Sequence, residues 1–390
     1  MRDILFLAHR LPWPPDRGDK IRSWNLLRHL CGLARVHVLA FADDAAELAM
    51  AETLRGQVAS LHVELRSVSR ARGLIAALMT GRPASVAMFA SAPMHRAVAR
   101  LLREADIGTI FAFSGQMAQF VPEGCAQRFV MDFVDVDSEK FGAYAAKASS
   151  VMRLLYRREH AKLAVFEQAV ARRADASLFV SEAEAGLFRS LSGLGADRVI
   201  AVENGIDLDQ LQPMPRERDA SRILFTGQMD YPPNVEAVTG FAERVFPAIR
   251  AACPDAEFVI VGRNPTAAVK ALGTQPGIVV TGAVPEVGPW LASASVVVAP
   301  LEIARGVQNK VLEAMAMARA VVASPAAAEG IDAQDGRDLI VADGDAMAAA
   351  VVGLLRDPVA ADRIGAAART RVEARYRWCE RLRPLADLMA

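Results

Sequence analysis

Arg305-Gly306-Val307-Gln308-Asn309-Lys310-Val311-Leu312-Glu313-Ala314-Met315-Ala316-Met317-Ala318 lies between two short apolar runs, Ser295-Val296-Val297-Val298-Ala299-Pro300-Leu301 and Ala320-Val321-Val322-Ala323-Ser324-Pro325. Both runs are β-branched and too short for helices, so each reads as a buried strand. Between them Leu312, Met315 and Ala316 form an apolar stripe at helical spacing. The unit is strand, glycine turn, helix, strand. The turn at Gly306 sets the first helix amides where an anion can meet them. Lys310 sits one turn into the helix, and Glu313 follows three residues later on nearly the same face. A cation and a carboxylate near a helix start, just past a buried strand, suit a phosphate and a pair of hydroxyls. The plain alternative is a surface ion pair on an ordinary crossover.

The chain has 390 residues, too many for one small core and suited to two domains. Lys plus Arg equals Asp plus Glu at 45 each, so no global field draws nucleic acid. Cys31, Cys125, Cys253 and Cys379 are far apart and form no Cys-x-x-Cys pair, which argues against disulfides or a zinc site and fits a reducing cytosol. The opening Met1 to Arg10 has too short an apolar run for a signal peptide and reads as a strand. The apolar region Leu74 to Met94 is broken by Arg82 and Pro83, so no membrane span is expected. Peripheral membrane contact stays open.

Outward toward the N-terminus, Ile4 to Ala8 reads as a first strand. It feeds the loop His9-Arg10-Leu11-Pro12-Trp13-Pro14-Pro15-Asp16-Arg17-Gly18-Asp19-Lys20 and then a helix through Leu30. Proline stiffens this loop, and Gly18 permits close backbone approach where a doubly wound domain places a ligand loop. A proline-rich surface loop is the alternative. The dinucleotide fingerprint Gly-x-Gly-x-x-Gly is absent. Val36 to Phe41, Leu61 to Leu65 and Thr109 to Phe113 alternate with helices at Ala45 to Leu54 and Met94 to Glu104, the pattern of a helix-covered parallel sheet. His37 is read as packed within its strand. After the strand Arg128 to Met131 comes Asp132-Phe133-Val134-Asp135-Val136-Asp137-Ser138-Glu139-Lys140. If the strand continues, Asp135 and Asp137 share a side, and Asp135 suits an acceptor-hydroxyl contact or general base. The alternative is a solvated loop in which Asp137 or Ser138 caps the next helix. Val151 to Ala174 reads as a long helix with a basic face (Arg153, Arg157, Arg158, Lys162, Arg172, Arg173) and an apolar one (Leu154, Leu155, Leu163, Val165, Phe166). Such a face meets acidic head groups or simply water.

A strand over Val199 to Asp207 ends in an Asn-Gly turn, and Gln212 to Asp219 loses apolar periodicity, as a linker does. Ile223-Leu224-Phe225-Thr226-Gly227 opens a second parallel domain. Phe258-Val259-Ile260-Val261-Gly262-Arg263 repeats the strand-glycine pattern, with Arg263 placed to meet phosphate or base. The expected division is 1–205, a linker at 206–220, a nucleotide-sugar-binding domain at 221–375, and a tail at 376–390 that packs back on the first domain.

Val202-Glu203-Asn204-Gly205-Ile206-Asp207, the strand ending at Gly262, and Leu312-Glu313-Ala314-Met315-Ala316 before Ala320-Val321-Val322 together resemble retaining GT-B glycosyltransferases of glycosyltransferase family 4. A narrower resemblance, to sugar transferases of PEP-CTERM/exosortase exopolysaccharide loci, rests on Asp132 to Lys140, on Gly227-Gln228-Met229-Asp230-Tyr231-Pro232-Pro233-Asn234, and on Gly306-Val307-Gln308-Asn309-Lys310. The resemblance implies an α/β GT-B fold, two doubly wound Rossmann-like domains facing a central cleft, the acceptor in the first and the donor in the second. It makes Glu313 the second glutamate of a Glu-x7-Glu motif, which holds the nucleotide ribose. The first glutamate, which in that family touches the donor sugar, is replaced by Arg305. The basic pair that grips the diphosphate after the first strand of the second domain is also missing from Gln228 to Asn234, so Arg305 and Lys310 are expected to take over that charge. Gly18, with Asp19 and Lys20, resembles the first-domain loop that closes over the donor. Gly227, Gly262, Arg263, Gln308 and Asn309 complete the implied donor set.

The implied reaction moves a hexosyl group with retention, and without a metal or other cofactor, from a nucleotide-diphosphate sugar to a glycan or polyprenyl-linked acceptor. The implied setting is cytoplasmic, with possible peripheral contact at the inner membrane surface. A nucleotide-sugar epimerase of the same fold and a non-catalytic polysaccharide-assembly protein are the alternatives.

Overall fold

The computed structural model describes residues 2–66, 70–214, 221–304 and 307–389. They form two compact units, Met1–Glu203 with Leu382–Ala390, and Asn204–Arg381.

The first unit is built on seven strands: β1 (Asp3–Ala8), β2 (Val36–Ala42), β3 (Ser60–Leu65), β4 (Ile107–Phe113), β5 (Arg128–Val134), β6 (Ala176–Phe179) and β7 (Val199–Ala201). Their order is β3-β2-β1-β4-β5-β6-β7, and every pairing is parallel. The central strands are apolar on both faces because helices cover both, which makes them legible as unbroken hydrophobic runs. The order reverses between β1 and β4, so the ligand crevice of such a sheet lies beyond the carboxyl ends of those two strands. The core gathers Leu5, Leu39, Ile110, Met131, Phe179 and their neighbours.

The second unit has six strands: β8 (Arg222–Thr226), β9 (Glu257–Val261), β10 (Ile278–Gly282), β11 (Val296–Ala299), β12 (Ala320–Ala323) and β13 (Ile340–Val341). Their order is β10-β9-β8-β11-β12-β13, again all parallel. Here the switch falls between β8 and β11. The helix expected after β11 spans Asn309–Ala316, and it buries Leu312, Met315 and Ala316 as the stripe requires.

Several boundaries differ from those expected. The strand read over Val199 to Asp207 stops at Ala201. Ile206 and Leu208 belong to the core of the second unit, and Ile206 N–H donates to Tyr376 O at 2.6 Å. The chain thus enters the second unit at Asn204 rather than through a free linker, and it returns to the first at Leu382. The linker residues 215–220 lie outside the described residues. The helix read over Ala45 to Leu54 is two, Ala45–Met50 and Glu52–Arg55.

Candidate functional site

In the second unit the strand ends are pinned by backbone contact. Gly227 N–H donates to Val261 O at 3.0 Å, Met229 N–H to Arg263 O at 2.9 Å, and Gly262 N–H to Gly282 O at 3.2 Å. A Cβ on Gly262 would fall 1.6 Å from Gly227 O, so only glycine lets these two turns touch. A Cβ on Gly227 would meet Asn234 Nδ2 at 2.8 Å and Lys310 Nζ at 3.4 Å. Lys310 therefore reaches from the helix after β11 to the end of β8, across the switch point. Its Nζ donates to Asn234 Oδ1 at 2.5 Å and lies 4.4 Å from the centroid of the Phe225 ring. Asn234 is itself held, its Nδ2 donating to Gln228 O at 2.9 Å.

Burial sets the electrostatics here. Desolvation lowers the Lys310 pKa to about 8, with Glu313 opposing the fall. Desolvation raises the Glu313 carboxyl to about 7, with Lys310 opposing the rise. Each group is charged only against a penalty, and each is stabilised by a ligand that supplies what burial has removed: an anion for the ammonium, hydroxyl donors for the carboxylate. A surface ion pair on an ordinary crossover shows neither shift. Gln308 occupies the N-cap position in extended conformation, and its carbonyl accepts from Val311 N–H at 3.0 Å and Leu312 N–H at 3.3 Å, which starts the helix. Asn309 Oδ1 is buried and without a hydrogen-bond partner among the described residues. Arg263 is half-buried at the end of β9. Arg305 and Gly306 lie outside the described residues.

In the first unit the loop after β1 is held by its own charges. Asp19 accepts from Arg10 Nη1 at 2.8 Å and pairs with His9 Nε2 at 3.3 Å and Arg17 Nε at 3.4 Å. Burial works against the Asp19 carboxylate, but His9 and Arg10 hold it well below the usual carboxylate range. Lys20 is buried against Glu47 Oε1 at 2.5 Å. Gly18 opens the helix Gly18–Leu33, and a Cβ there would meet nothing within 4 Å. His9 itself is buried and stacked on Phe113, with burial lowering its pKa.

Strand β5 ends at Val134, whose φ of 72° turns the chain, so Asp135 and Asp137 do not lie along a strand. Both contact one cation instead: Lys140 Nζ donates to Asp135 Oδ2 at 2.7 Å and to Asp137 Oδ1 at 3.0 Å. Burial disfavours the Lys140 charge, yet Asp137 and Asp135 hold its pKa above the ordinary lysine value. Neither Asp137 nor Ser138 is the helix cap; Val136 occupies that position, and the Ser138 hydroxyl donates to Glu167 at 2.5 Å. Burial pushes Glu167 up to about 8. Asp132 is buried with Arg22, at 2.9 Å, and Arg22 also donates to Val202 O at 2.7 Å.

The pairings Lys310–Asn234 and Arg22–Asp132 span 76 and 110 residues, and no local pattern marks them. His37 is packed as expected, against Ser60 and Asp3.

Residues 220–357 match the family model described as Glycosyl transferases group 1. No curated protein matches the chain. Among solved structures, Anabaena HepE in complex with UDP is similar at 14% identity and a TM-score of 0.68, covering 99% of this chain and 98% of that one. The sucrose-phosphate synthase of Thermosynechococcus elongatus is similar at 16% identity and a TM-score of 0.68, with the same coverage. A Staphylococcus aureus (S. aureus) TarM variant in complex with Fondaparinux, alpha-GlcNAc-glycerol and UDP is similar at 11% identity and a TM-score of 0.69, covering all of both chains. The two parallel sheets and these neighbours give the GT-B fold. Residues 220–357 are thus similar to a Glycosyl transferases group 1 domain, and the chain as a whole has the GT-B architecture.

Proposed function

We propose that this chain transfers a hexosyl group, with retention and without a required metal, from a nucleotide-diphosphate sugar to a glycan or lipid-linked acceptor in exopolysaccharide assembly at the cytoplasmic membrane. The observation that carries the donor half of this reading is the desolvated Lys310–Glu313 pair at the switch point between β8 and β11. Glu313 takes the ribose hydroxyls. Lys310, helix amides and Arg305 take the diphosphate. Negative charge grows on the diphosphate as the glycosidic bond breaks, so a cation already stripped of water stabilises that state more than a hydrated one would. HepE has been solved with UDP-glucose, which supports a nucleoside diphosphate sugar as the donor class. On the acceptor side, Asp135 is the carboxylate proposed to receive or orient the acceptor hydroxyl, with Lys140 holding it in place.

Calorimetric titration with a panel of nucleotide-diphosphate sugars tests the donor site. Glu313→Ala and Lys310→Ala each weaken donor binding by about tenfold or more, the cost of a lost charge-assisted hydrogen bond, with the fold retained. Unchanged affinity in both would refute the assignment. Asp135→Asn lowers turnover far more than donor affinity; equal losses would remove Asp135 from the acceptor side.

A further inference from the structure

The amino ends of β1, β4, β5 and β6 border a cavity of 970 Å³. The crevice at the switch point lies beyond the opposite, carboxyl ends, and the seven residues of β5 set the two about 20 Å apart. Arg2 precedes β1, Arg128 opens β5, and Arg173 ends the helix Ser150–Arg173 that leads into β6. These three arginines line the cavity against one carboxylate, Asp175. The last helix, Pro384–Met389, returns to the first unit and adds Met389 to the wall. The whole chain carries 45 cations against 45 anions, so this excess is local.

Three of the four charged groups are fixed by contacts of their own. Arg2 Nε donates to Asp106 Oδ1 at 2.7 Å and Arg2 Nη2 to Ile107 O at 3.0 Å. Its Cβ lies over Gly108, where a methyl group would come within 2.7 Å of it. Arg173 Nη2 donates to Val121 O at 2.8 Å, with the guanidinium 5.7 Å from the centroid of the Phe129 ring. Asp175 Oδ2 accepts from Phe129 N–H at 2.7 Å, so this carboxylate is committed to the backbone of β5. Arg128 differs from these. It makes no hydrogen bond or ion pair among the described residues, and its Nε is buried without a partner. A guanidinium N–H removed from water is penalised until an acceptor reaches it. Beside it stand two further guanidiniums already held in place. Planar forks in fixed positions match the oxygens of a phosphate group, two at a time. The cavity has the size of a small-molecule site and more room than inorganic phosphate fills, which leaves space for an organic part.

We propose that this cavity is a second, non-catalytic site, which binds a phosphate monoester through Arg2, Arg128 and Arg173. A ligand there ties the first strand, the start of β5 and the tail together, so it stabilises the first unit without competing for the donor. The full-length protein is titrated by calorimetry with glucose 6-phosphate and with inorganic phosphate. Saturable binding of glucose 6-phosphate at one site is expected, tighter than that of inorganic phosphate, with a higher melting temperature at saturation. Arg128→Gln weakens that binding about tenfold or more. Arg128→Lys, which keeps the charge but not the fork, weakens it less. Lys310→Ala leaves it unchanged. Without ligand, Arg128→Gln keeps the melting temperature of the parent, because the arginine has no protein partner to lose. No saturable binding of glucose 6-phosphate, inorganic phosphate bound as tightly as the ester, or binding indifferent to Arg128→Gln overturns the proposal. So does binding lost in Lys310→Ala, which would put the ester in the donor site. A marked fall in the melting temperature of unliganded Arg128→Gln and Arg128→Lys alike would make the arginine a structural group and overturn it too. A parent protein that binds glucose 6-phosphate and no nucleotide-diphosphate sugar would sink the donor reading and leave this site standing.

Discussion

At the scale of single residues, Lys310 and Glu313 are displaced from their ordinary values in opposite directions, and their charged forms overlap in a narrow window. Glu313 loses its carboxylate as pH falls through about 7, and Lys310 loses its proton as pH rises through about 8. Donor affinity measured by calorimetry across a pH series is expected to peak between those values and to fall on both sides; a flat profile from pH 6 to 9 would show that neither group meets the donor. The same shifts bear on stability. The folded Lys310 value lies below the unfolded one, so its charged form costs stability at every pH below about 8, and the cost is relieved as pH rises from there toward the unfolded value of 10.5. The folded Glu313 value lies above the unfolded one, so its cost is full above about 7 and is relieved as pH falls toward 4.5. Near neutrality both costs are present. Lys310→Met/Glu313→Gln should then raise the stability of the second unit by roughly 1 to 2 kcal/mol, a few degrees in melting temperature, even after the lost bond to Asn234 is set against the gain. Donor binding disappears in the same variant. A double variant less stable than the parent would mean that the pair holds the fold together and is not kept for a ligand.

At the scale of elements, two glycines read alike in the sequence differ in what surrounds them. Gly262 faces the carbonyl of Gly227 with no room for a methyl group, so Gly262→Ala must push apart the turns after β8 and β9. It is expected to cost about 3 kcal/mol and to weaken donor binding together with stability. Gly18 has open space and ordinary backbone geometry, so Gly18→Ala should leave the melting temperature within about 1 °C, and any loss of donor affinity would report close approach of the ligand itself. Equal destabilisation by the two substitutions would contradict this geometry. The contrast also shows what the sequence could reveal. β1, β2, β4, β8 and β11 were legible because strands covered on both faces are written as unbroken apolar runs. β13 was not, because two residues carry no period. Lys310 and Glu313 were legible because their spacing follows from the helix itself. Asn234, Phe225 and the Arg22–Asp132 pair were not, because their partners are chosen by how distant elements pack. Whether the strand continues to Asp135 was not legible, because nothing in Phe133-Val134-Asp135 signals the positive φ at Val134, a value unusual for a β-branched residue.

At the scale of the whole molecule, the second unit is one continuous segment, Asn204–Arg381, whereas the first needs the far end of the chain. The second unit closes on itself: Ile206 N–H donates to Tyr376 O, the Tyr376 hydroxyl accepts from Asp332 N–H at 2.6 Å, and Arg369 Nη1 donates to both Leu211 O and Ala316 O at 2.6 Å. The helix Pro358–Arg375 thereby ties the entry of the segment to the helix that carries Lys310. Residues 204–381 expressed alone are expected to fold cooperatively and to bind the donor within about tenfold of the full chain, with no transfer; a fragment that is unfolded would show that its core is incomplete. The first unit should respond in the opposite way to loss of the tail. Leu385 and Met389 are buried there, and removing two such side chains costs roughly 3 to 6 kcal/mol by apolar area, a large part of the margin of an ordinary domain. A chain ending at Arg381 should therefore show, in scanning calorimetry with donor present, one transition shifted down by 10 °C or more and a second, donor-stabilised transition unmoved. A single transition that shifts as one would mean that the units unfold together, and that donor bound to the second also stabilises the first.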